Sequence, residues 1–398
     1  MAEKEPIKVA QIMGKLQGGG VESVVFNYYR ELNKEKIQFD FYYDSDSTVA
    51  PPSELIALGA NFYKIPPYQN LISYCSTLKK ILKEKQYTII HSHINTLSVI
   101  PLFIAWTEKV PVRIAHNHSV PGGNEYLRNI LKRILRKFSR IFPTDYFACS
   151  EKAGRWLFGD KNYDSGKVFV IKNGIDFQRF RPDEKITQEK RNSLGLKHKF
   201  VVGHVGRLTY AKNHKFLFEI FAEILKQKEN AILMLVGDGE LYTELKKTAK
   251  NLGISKYIIF TGQVADPENY YRLANVMIFP SFFEGLSLTT IESQVAGVPV
   301  VVSEAIPDEA IISDGGKQLS LHASAKIWAQ ESIRLSEKCV NLMSTSKAYD
   351  IKQCAQILAE WYDRRMQECK TGWQSYRPQN LLPKKNLTVE PNKCKSKR

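Results

Sequence analysis

The sequence predicts an α/β protein built from two doubly wound Rossmann-like domains that face a central cleft. Short runs rich in β-branched and aromatic residues alternate with longer stretches of helical period, which is typical of parallel sheets with crossover helices. The alternation is interrupted once, at a polar and charged segment over residues 181–198, and then starts again. A length of 398 residues fits two domains and a tail better than one domain.

The first predicted domain covers residues 1–180. Its strands are expected at 9–13, 39–43, 88–91, 112–115, 146–149 and 168–171, and its main helices at 21–32, 72–82 and 127–141. The apolar stretch at 97–106 is too short to cross a bilayer, and we interpret it as a buried helix. The N-terminus carries no apolar signal core, so we expect a cytoplasmic protein.

The second predicted domain covers residues 199–350, after the linker at 181–198. Its strands are expected at 200–205, 231–236, 258–260, 276–279 and 298–302, and its helices at 215–226, 241–251 and 288–296. A helix at 351–369 is expected to return to the first domain. The basic segment 370–398, rich in Pro, Asn and Lys, is expected to be disordered.

Charge and cysteine content restrict the partners and cofactors. There are 57 Lys and Arg residues against 41 Asp and Glu, a net charge of +16, which favours an anionic partner such as nucleic acid, a phosphorylated ligand or an acidic membrane. Six cysteines are scattered without a Cys-x-x-Cys pair, so neither a disulfide framework nor a zinc site is expected.

The segment with the most chemical information runs from Pro280 to Glu292. A strand ends at Pro280, a loop carries Glu284 and Gly285, and a helix is expected to start near Leu286. This places Glu284 at the carboxyl end of a parallel strand, where doubly wound sheets bind ligands. Two carboxylates at this spacing suit a ligand rich in hydroxyls, since each can accept two hydrogen bonds from a vicinal diol. The alternative is that Glu284 only stabilises the helix dipole and that Glu292 faces solvent.

These residues, taken with four other segments, resemble the E-x7-E motif and accompanying marks of retaining glycosyltransferase family four, which has the GT-B architecture. The other marks occur in the family's order: Asn173-Gly174-Ile175-Asp176, Gly206-Arg207-Leu208 with Lys212-Asn213, Val236-Gly237-Asp238-Gly239, and Phe260-Thr261-Gly262. The resemblance spans roughly residues 7–365. Two departures, Leu286-Ser287 in place of Phe-Gly and the segment 304–309 in place of a glycine pair, resemble the capsule and exopolysaccharide branch.

The resemblance implies a role for each matching position. Arg207 and Lys212 would hold the nucleotide diphosphate and stabilise the leaving group, with Glu284 and His118 at the reacting sugar. The remaining donor-binding positions would be Gly19, Gly20, Gly237, Gln263, Val264, Gly285, Leu286, Ser287 and Glu292, of which Glu292 would meet the ribose and Gln263 and Val264 the base. His116 stays an alternative to His118, and His91 and His93 are expected to line the cleft as well.

The same resemblance implies metal-independent chemistry and no cofactor. Asp44-Ser45-Asp46 matches the letters of a D-x-D metal motif, but it lies far from the donor-domain marks, and we interpret it as a loop. Basic groups would then replace Mg²⁺ at the diphosphate.

The helix predicted at 127–141 has an unusual charge distribution. Apolar residues recur at helical spacing, and the opposite arc is filled by Arg128, Lys132, Arg133, Arg136, Lys137 and Arg140, with no acid among them. Such a helix suits an anionic lipid surface. The alternative is a core-packed helix whose basic side maintains solubility. No nucleic-acid-binding module accompanies the charge, so no nucleic acid partner is expected.

Together these features predict transfer of a hexose or N-acetylhexosamine from a nucleotide sugar, with UDP favoured. The expected acceptor is a polyprenyl-diphosphate-linked glycan in capsular or exopolysaccharide synthesis, at the inner face of the cell membrane. A nucleotide-sugar epimerase or phosphorylase of the same architecture is the alternative enzyme. A non-enzymatic basic binding protein is the alternative from another class.

Overall fold

The computed structural model describes the backbone of residues 5–120 and 126–371, and the side chains of all of these except 126–129. The predicted disordered tail lies outside the described residues from 372 onwards, and the side chain of Arg128 is outside them too.

Within the described residues, seven parallel strands form the first sheet, in the order β3-β2-β1-β4-β5-β6-β7. They are β1 Ile7–Gly14, β2 Ile37–Asp44, β3 Asn61–Ile65, β4 Ile89–Ser92, β5 Val112–Asn117, β6 Asp145–Ala148 and β7 Val168–Val170. The helices of this part are α1 Gly20–Glu31, α2 Ser53–Ala57, α3 Leu71–Lys85, α4 Val99–Thr107, α5 Tyr126–Phe138, α6 Glu151–Phe158, α7 Asp160–Asp164 and α8 Phe177–Phe180. The order reverses at β1/β4, where a ligand crevice is expected.

A second parallel sheet of six strands has the order β10-β9-β8-β11-β12-β13 over the described chain. Its strands are β8 Phe200–Val205, β9 Ala231–Val236, β10 Ile258–Gly262, β11 Val276–Phe279, β12 Val300–Ser303 and β13 Gly316–Leu319. The remaining helices are α9 Glu184–Ser193, α10 His214–Leu225, α11 Tyr242–Asn251, α12 Pro267–Tyr271, α13 Leu288–Val295, α14 Ala325–Leu335 and α15 Ile351–Thr371. The prediction of two doubly wound sheets is confirmed.

Two strands, β3 and β13, were absent from the sequence prediction. Both lie at sheet edges. Their side chains are mostly half-buried or exposed, so neither segment has the continuous apolar run that identifies a central strand. The central strands are almost entirely buried, and the predicted ranges of β8, β9 and β11 match the observed ones.

The last helix, α15, belongs to the core of the first sheet. Trp361 packs edge-on against Phe147 with ring centroids 4.8 Å apart, and Tyr362 is fully buried beside Phe39. The turn at Gly174 fits closely under the start of α15, since a Cβ there would lie 2.9 Å from the Cα of Ile351. The chain therefore returns to the first sheet after the second one, and the start of α15 packs against the turn at Gly174.

The segment predicted as a linker contains a helix. Residues 184–193 form α9, whose first turn is capped by the Asp183 carboxylate accepting from the Ile186 N–H at 3.0 Å. Lys190 then pairs with Asp266 of the second sheet's loops at 2.5 Å. The polar composition that suggested a linker is that of a helix lying on the surface.

The prediction of a buried helix at 97–106 is wrong in part. Leu102 and Ala105 of α4 are buried, but Phe103 and Trp106 have 44% and 52% of their surface exposed. The helix covers the sheet with one side only. Its outer side forms an aromatic cluster with Phe142, whose ring centroid lies 5.1 Å from that of Phe103.

Candidate active site

A cleft of about 740 Å³ lies between the two sheets, at the carboxyl ends of their strands. Loops after β1, β8, β9, β10 and β11 line it, together with the first turns of α1 and α13. Of the residues predicted for the donor site, the cleft is lined by Gly19, Gly20, Arg207, Lys212, Gly237, Gln263, Val264, Glu284, Leu286, Ser287 and Glu292. Parallel topology explains this convergence, since it brings the ends of all strands in one sheet to one edge.

Close backbone packing explains the glycines after β8 and β9. Gly237 has φ 129°, and a Cβ on it would lie 2.2 Å from the carbonyl oxygen of Gly206. A Cβ on Gly239 would lie 2.5 Å from the carbonyl oxygen of Leu208. The two loops can therefore pack backbone to backbone only because side chains are absent. This packing forms the cleft wall that carries Arg207.

Lys212 and Glu284 form an ion pair in the cleft wall, and 16% of each side chain is exposed. The Ser281 hydroxyl also donates to Glu284, at 3.4 Å. Lys212 ends a short helical turn, and the left-handed Asn213 that follows (φ 54°) starts α10. A positive and a negative group are thus held side by side, where an anionic ligand could bind the first and a hydroxyl the second.

Arg207 lies across the cleft opening. Half of its side chain is exposed, and its Nη1 donates to the Gln17 side-chain oxygen of the first sheet's glycine loop at 3.0 Å. Glu240 is 4.0 Å from its other terminal nitrogen. The guanidinium is therefore held near the cleft by weak contacts that a phosphate could replace.

The glycine loop before α1 is shaped by the Glu22 carboxylate. Its two oxygens accept from the backbone N–H groups of Gln17 and Gly18, each at 2.8 Å. Burial raises the pKa of Glu22, and these hydrogen bonds oppose that effect. A Cβ on Gly18 would lie 2.6 Å from the Gln263 amide nitrogen, so loops of the two sheets touch here.

Glu292 is half-buried in the cleft rather than facing solvent. The Tyr271 hydroxyl donates to its Oε2 at 2.5 Å. Burial raises the pKa of Glu292, while the Tyr271 hydrogen bond and the positive charge of Arg179 lower it. One carboxylate oxygen is thus bound to protein, and the other is available to a ligand hydroxyl.

His118, His91 and His93 are not among the residues that line the cleft, so the contact of His118 with a donor sugar stays a prediction. All three are buried, and the four rings of His91, His93, His116 and His118 stack into one cluster. Strand alternation explains the cluster. Residues two apart along one strand point to the same face of the sheet, and the two histidine pairs lie at the ends of neighbouring strands, β4 and β5. Burial lowers the pKa of all four, that of His118 to about 3.

Gly285 also lies outside the cleft lining. A Cβ on it would lie 2.6 Å from the carbonyl oxygen of His118. Gly285 therefore allows the loop that carries Glu284 to touch the end of β5. This contact places the histidine cluster directly behind the Glu284 loop.

His91, His93 and His116 form the one histidine, cysteine or acid group of the described chain whose ligand atoms, all within 4.8 Å of one another, could hold a metal ion. Five of their six ring nitrogens are instead engaged with one another, with His118, with Gln11 or with Tyr362, and His116 Nε2 has no partner among the described residues. Among the described residues, those that line the small cavity beside them include no carboxylate to balance a cation. The donor set thus fits a hydrogen-bonded cluster better than a metal.

The segment Asp44-Ser45-Asp46, which matches the D-x-D pattern, lies at the end of β2 in the first sheet. Asp44 ends β2, and Asp46 pairs with Lys15 at 2.9 Å. Burial and the nearby Asp46 raise the pKa of Asp44 to about 6. Neither residue lines the cleft.

The structure adds cleft residues that sequence patterns did not indicate, namely Asn27, Arg30, Arg179 and Tyr271, and it places Asp176 of the Asn173–Asp176 motif in the cleft lining as well. Asn27 and Arg30 extend the cleft wall along α1, following the spacing of one helix face from Ser23. That spacing was visible in the sequence, but nothing identified which face of α1 would turn to the cleft. Arg179 pairs with Glu268 at 2.9 Å, a contact between segments far apart in sequence.

The surface around α5 is apolar as well as basic. Leu131, Ile134, Phe138 and Ile141 are all more than two-fifths exposed, as are Phe103 and Trp106 on α4. Arg133, Lys137 and Arg140 are exposed beside them. Arg136 instead stacks over the Trp156 ring at 5.6 Å. We call the six exposed apolar residues the α4/α5 surface, and their exposure disagrees with the alternative of a core-packed helix.

Comparison with known families follows the two sheets. A family model described as Glycosyltransferase Family 4 matches residues 18–179, and one described as Glycosyl transferases group 1 matches residues 186–341. This chain belongs to glycosyltransferase family four and has the GT-B architecture. The two matched ranges coincide with the two halves that the cleft separates.

Curated relatives support the same family. The capsular polysaccharide biosynthesis glycosyltransferase CapH of Staphylococcus aureus is 26% identical over 89% of this chain and 98% of its own length. The Escherichia coli UDP-Gal:alpha-D-GlcNAc-diphosphoundecaprenol alpha-1,3-galactosyltransferase is 27% identical over 75% of this chain and 79% of its own. This family member is thus related to transferases of capsular polysaccharide and of lipid-linked glycans.

A solved structure supports the fold. Anabaena HepE in complex with UDP-glucose superposes with a TM-score of 0.73 at 18% identity, covering 90% of this chain and 99% of that one. No helix in the described part of this chain combines the length and apolar character that crossing a bilayer requires.

Proposed function

We propose that this chain is a retaining glycosyltransferase that moves a hexose or N-acetylhexosamine from a UDP-sugar to a lipid-linked glycan. The observation that supports this most is the cleft itself. Two cations, Arg207 and Lys212, from the loop after β8 and two carboxylates, Glu284 and Glu292, from the loop and helix after β11 converge there. The relatives' names point to the same chemistry, since one uses UDP-galactose and an undecaprenyl-diphosphate acceptor.

We assign the donor nucleotide to the second sheet. Arg207 can bind phosphate oxygens in a bidentate manner, and Lys212 adds a compact charge beside it. Glu292 would accept hydrogen bonds from the ribose diol through the oxygen that Tyr271 leaves available. The uracil would lie against the backbone at Gln263 and Val264, at the end of β10.

In the proposed reaction the bond between the anomeric carbon and the β-phosphate oxygen breaks as the acceptor oxygen bonds to the same face of that carbon. The acceptor proton passes to the departing phosphate, so no protein nucleophile is required. Arg207 and Lys212 stabilise the charge that develops on the diphosphate, in place of a metal ion. Glu284 would hold a sugar hydroxyl while Lys212 turns to the phosphate.

The acceptor side of the proposal rests on the α4/α5 surface. Exposed aromatic and aliphatic side chains flanked by Arg133, Lys137 and Arg140 suit the boundary between acyl chains and anionic headgroups. Such attachment would make the chain peripheral on the inner membrane face. A lipid-linked glycan anchored in that membrane would then reach the neighbouring cleft.

Transfer is tested by incubating UDP-sugars with a polyprenyl-diphosphate-linked glycan and analysing the products by mass spectrometry and NMR. Release of UDP should require the acceptor, and the product should keep the donor's anomeric configuration. UDP release without acceptor, an inverted product or an isomerised free donor would contradict the proposal. No thermal shift with UDP or any UDP-sugar would favour a non-enzymatic binding protein.

Site assignment is tested by two variants with matched controls. Glu284→Gln should lower kcat by about 100-fold, because it removes a negative charge that stabilises the reacting sugar. Glu244→Gln, at an exposed ion pair on α11, should leave kcat unchanged. Arg207→Ala should weaken UDP binding about tenfold, whereas Arg334→Ala on α14 should not change it. Equal kinetics in all four variants would refute the assignment.

Membrane attachment is tested by sedimentation with anionic vesicles. An Arg133→Gln/Lys137→Gln variant should bind about 30-fold less, since each of the two basic residues contributes on the order of 1 kcal/mol near the surface. Lys247→Gln/Lys250→Gln, which removes the same charge from the exposed side of α11, should bind like wild type. Equal binding of both variants would contradict the proposed surface.

A further inference from the structure

A continuous hydrogen-bond chain lies buried behind the Glu284 loop. We call it the histidine chain; its members, in order, are His118, His93, Gln11, Tyr362, His91 and His116. His118 Nε2 lies 2.9 Å from His93 Nδ1, and His93 Nε2 lies 2.7 Å from the Gln11 amide oxygen. The Gln11 amide nitrogen then donates to the Tyr362 hydroxyl at 3.3 Å.

The second half of the chain continues from α15 back to the sheet. The Tyr362 hydroxyl lies 2.7 Å from His91 Nδ1, and His91 Nε2 lies 3.1 Å from His116 Nδ1. The two ends are His118 Nδ1 and His116 Nε2. Both of these atoms are buried, and neither has a hydrogen-bond partner within residues 5–120 and 126–371.

Each link of the chain determines the next. The four imidazoles are neutral because burial lowers the pKa of each. A neutral imidazole carries one N–H and one lone pair, so a ring that donates at one nitrogen must accept at the other. The direction of one hydrogen bond therefore sets the direction of every bond in the chain. Gln11 can set it because an amide oxygen only accepts and an amide nitrogen only donates.

We propose that Gln11 and His93 are positioning residues that hold His118 as its Nε2–H tautomer, with a bare lone pair on Nδ1. The Gln11 oxygen accepts from His93 Nε2–H, so His93 Nδ1 must accept from His118 Nε2–H. On the other branch, Gln11 donates to Tyr362, whose hydroxyl proton is then directed to His91. The chain end nearest the Glu284 loop is thus a hydrogen-bond acceptor.

An acceptor at this position selects among ligands, a consequence that rests on the proposed function. The His118 carbonyl already touches the loop at Gly285, next to Glu284. A donor sugar that reaches His118 Nδ1 must bring a proton of its own. A hydroxyl at the sugar position that meets this nitrogen satisfies it, whereas a carboxylate at the same position presents only further lone pairs. The chain would therefore favour a donor with a hydroxyl over a donor with a carboxylate at that position.

The tautomer is tested in the ligand-free protein by ¹⁵N NMR of the labelled histidines, with His118 assigned by the loss of its signals in His118→Gln. Wild type should show His118 protonated at Nε2 and bare at Nδ1. His204 provides an internal reference of the opposite kind, since its Nδ1 lies 2.8 Å from the Ile278 carbonyl oxygen and must carry the proton. A proton on His118 Nδ1 in wild type would overturn the proposal.

Gln11→Met tests the role of the amide. It removes the acceptor at similar side-chain length, so His118 should shift to a mixture of tautomers while the His204 signals stay unchanged. A His118 signal identical to wild type, with His204 also unchanged, would overturn the proposal. If the variant perturbs His204, the fold has changed and the wild-type tautomer alone decides.

The selectivity is tested separately by calorimetry with UDP, UDP-glucose and UDP-glucuronate. Wild type should bind UDP-glucose about tenfold more tightly than UDP-glucuronate, and Gln11→Met should reduce this ratio. Equal binding of the two sugars in wild type would overturn the selectivity. Failure to bind UDP at all would refute the proposed function, while the NMR result would still decide the tautomer.

Discussion

At the scale of single residues, the cleft is shaped by side chains that are missing as much as by those that are present. Gly237 and Gly239 let two loops pack backbone to backbone, and Gly285 lets the Glu284 loop touch β5. These positions are constrained by their neighbours rather than by ligand contact. A glycine motif in such a sequence therefore describes first how the wall is built, and only then what it binds.

Gly237→Ala should destabilise the protein by about 2 kcal/mol or more, because a Cβ adds both left-handed backbone strain and a clash with Gly206. Gly253→Ala is the matched control. Gly253 has φ 69° but open space around its Cβ position, so only the strain of about 1 kcal/mol applies. Urea unfolding measures both. A Gly237 variant no less stable than the Gly253 variant would show that the loops separate freely.

Glu292 shows how one neighbour can change the meaning of a carboxylate. The Tyr271 hydroxyl binds one oxygen and counteracts the rise in the pKa of Glu292 that burial causes. The sequence alone allows Glu292 to face solvent. In the structure it is an acceptor of hydrogen bonds inside the cleft.

Tyr271→Phe should therefore weaken UDP binding about tenfold, by losing the hydrogen bond that orients the carboxylate. Binding of 2′,3′-dideoxy-UDP should be weaker than that of UDP in wild type and unaffected by the substitution, since it lacks the ribose diol. Calorimetry with both nucleotides checks this. An equal loss for both would place Glu292 away from the ribose.

At the scale of elements, α4 and α5 show what periodicity can and cannot determine. The spacing of apolar residues in α5 predicted a helix with one apolar arc, and the helix is present. Periodicity does not say what covers that arc, because burial depends on neighbouring elements. In the folded chain the arc remains largely uncovered, and Phe142, shortly after the helix, contacts Phe103 on the exposed side of α4.

Substituting Trp106 and Ile134 by serine should reduce sedimentation with anionic vesicles several-fold, while stability falls by only about 2 kcal/mol because both side chains are half exposed. Ile327→Ser on α14, at 48% exposure, is the control and should leave vesicle binding unchanged. A large loss of stability in the double variant would instead indicate that the α4/α5 surface is packed in solution.

At the scale of the whole molecule, the two sheets are linked by loops at the cleft and by α15, which returns to the first sheet. Tyr362 on α15 joins the histidine chain, so the last helix contributes a polar atom as well as apolar packing. A row of buried, neutral histidines in the first sheet, with His204 and His214 in the second, also makes the stability of the molecule depend on pH.

Stability should fall as the pH drops below about 6.5, the ordinary pKa of histidine. Burial lowers the pKa of these histidines, to about 3 for His118 and about 4 for His214, so the unfolded chain binds more protons over this range. The contribution of these histidines to the free energy of unfolding is complete above pH 6.5. Below that pH it is lost by up to about 1.4 kcal/mol per pH unit for each histidine. Asp44, with its pKa raised to about 6, acts in the opposite sense, as do Glu22, Asp145 and Glu292, whose pKa values burial also raises. The six histidines with a lowered pKa outnumber these four acids.

Urea unfolding at pH 7.5, 6.5 and 5.5 measures this dependence. His116→Gln should flatten the slope below pH 6.5, because it removes one buried titrating group, whereas His322→Asn at the surface should not. Stability that is constant or rises between pH 6.5 and 5.5 would contradict the expectation.

Much of the fold could be predicted because central strands and crossover helices carry their own signals. Strands β8, β9 and β11 are continuous apolar runs, while β3 and β13 lie at edges and have no such pattern. Most of the candidate donor site could also be predicted, since residues at the ends of parallel strands must meet at one edge. His118 could not be placed, because its distance from the cleft depends on how tightly the Glu284 loop packs against β5.

The sequence by itself determined the two doubly wound sheets, the family and the loops that meet at the cleft, because these follow from local periodicity and from motifs a few residues long. Only the tertiary structure decided which partners those residues have. Lys212 pairs with Glu284, and Tyr362 from α15 meets His91 more than two hundred residues away in sequence. Such contacts depend on packing between segments that are distant in sequence. That packing produces no periodic pattern of residues from which the contact could be predicted.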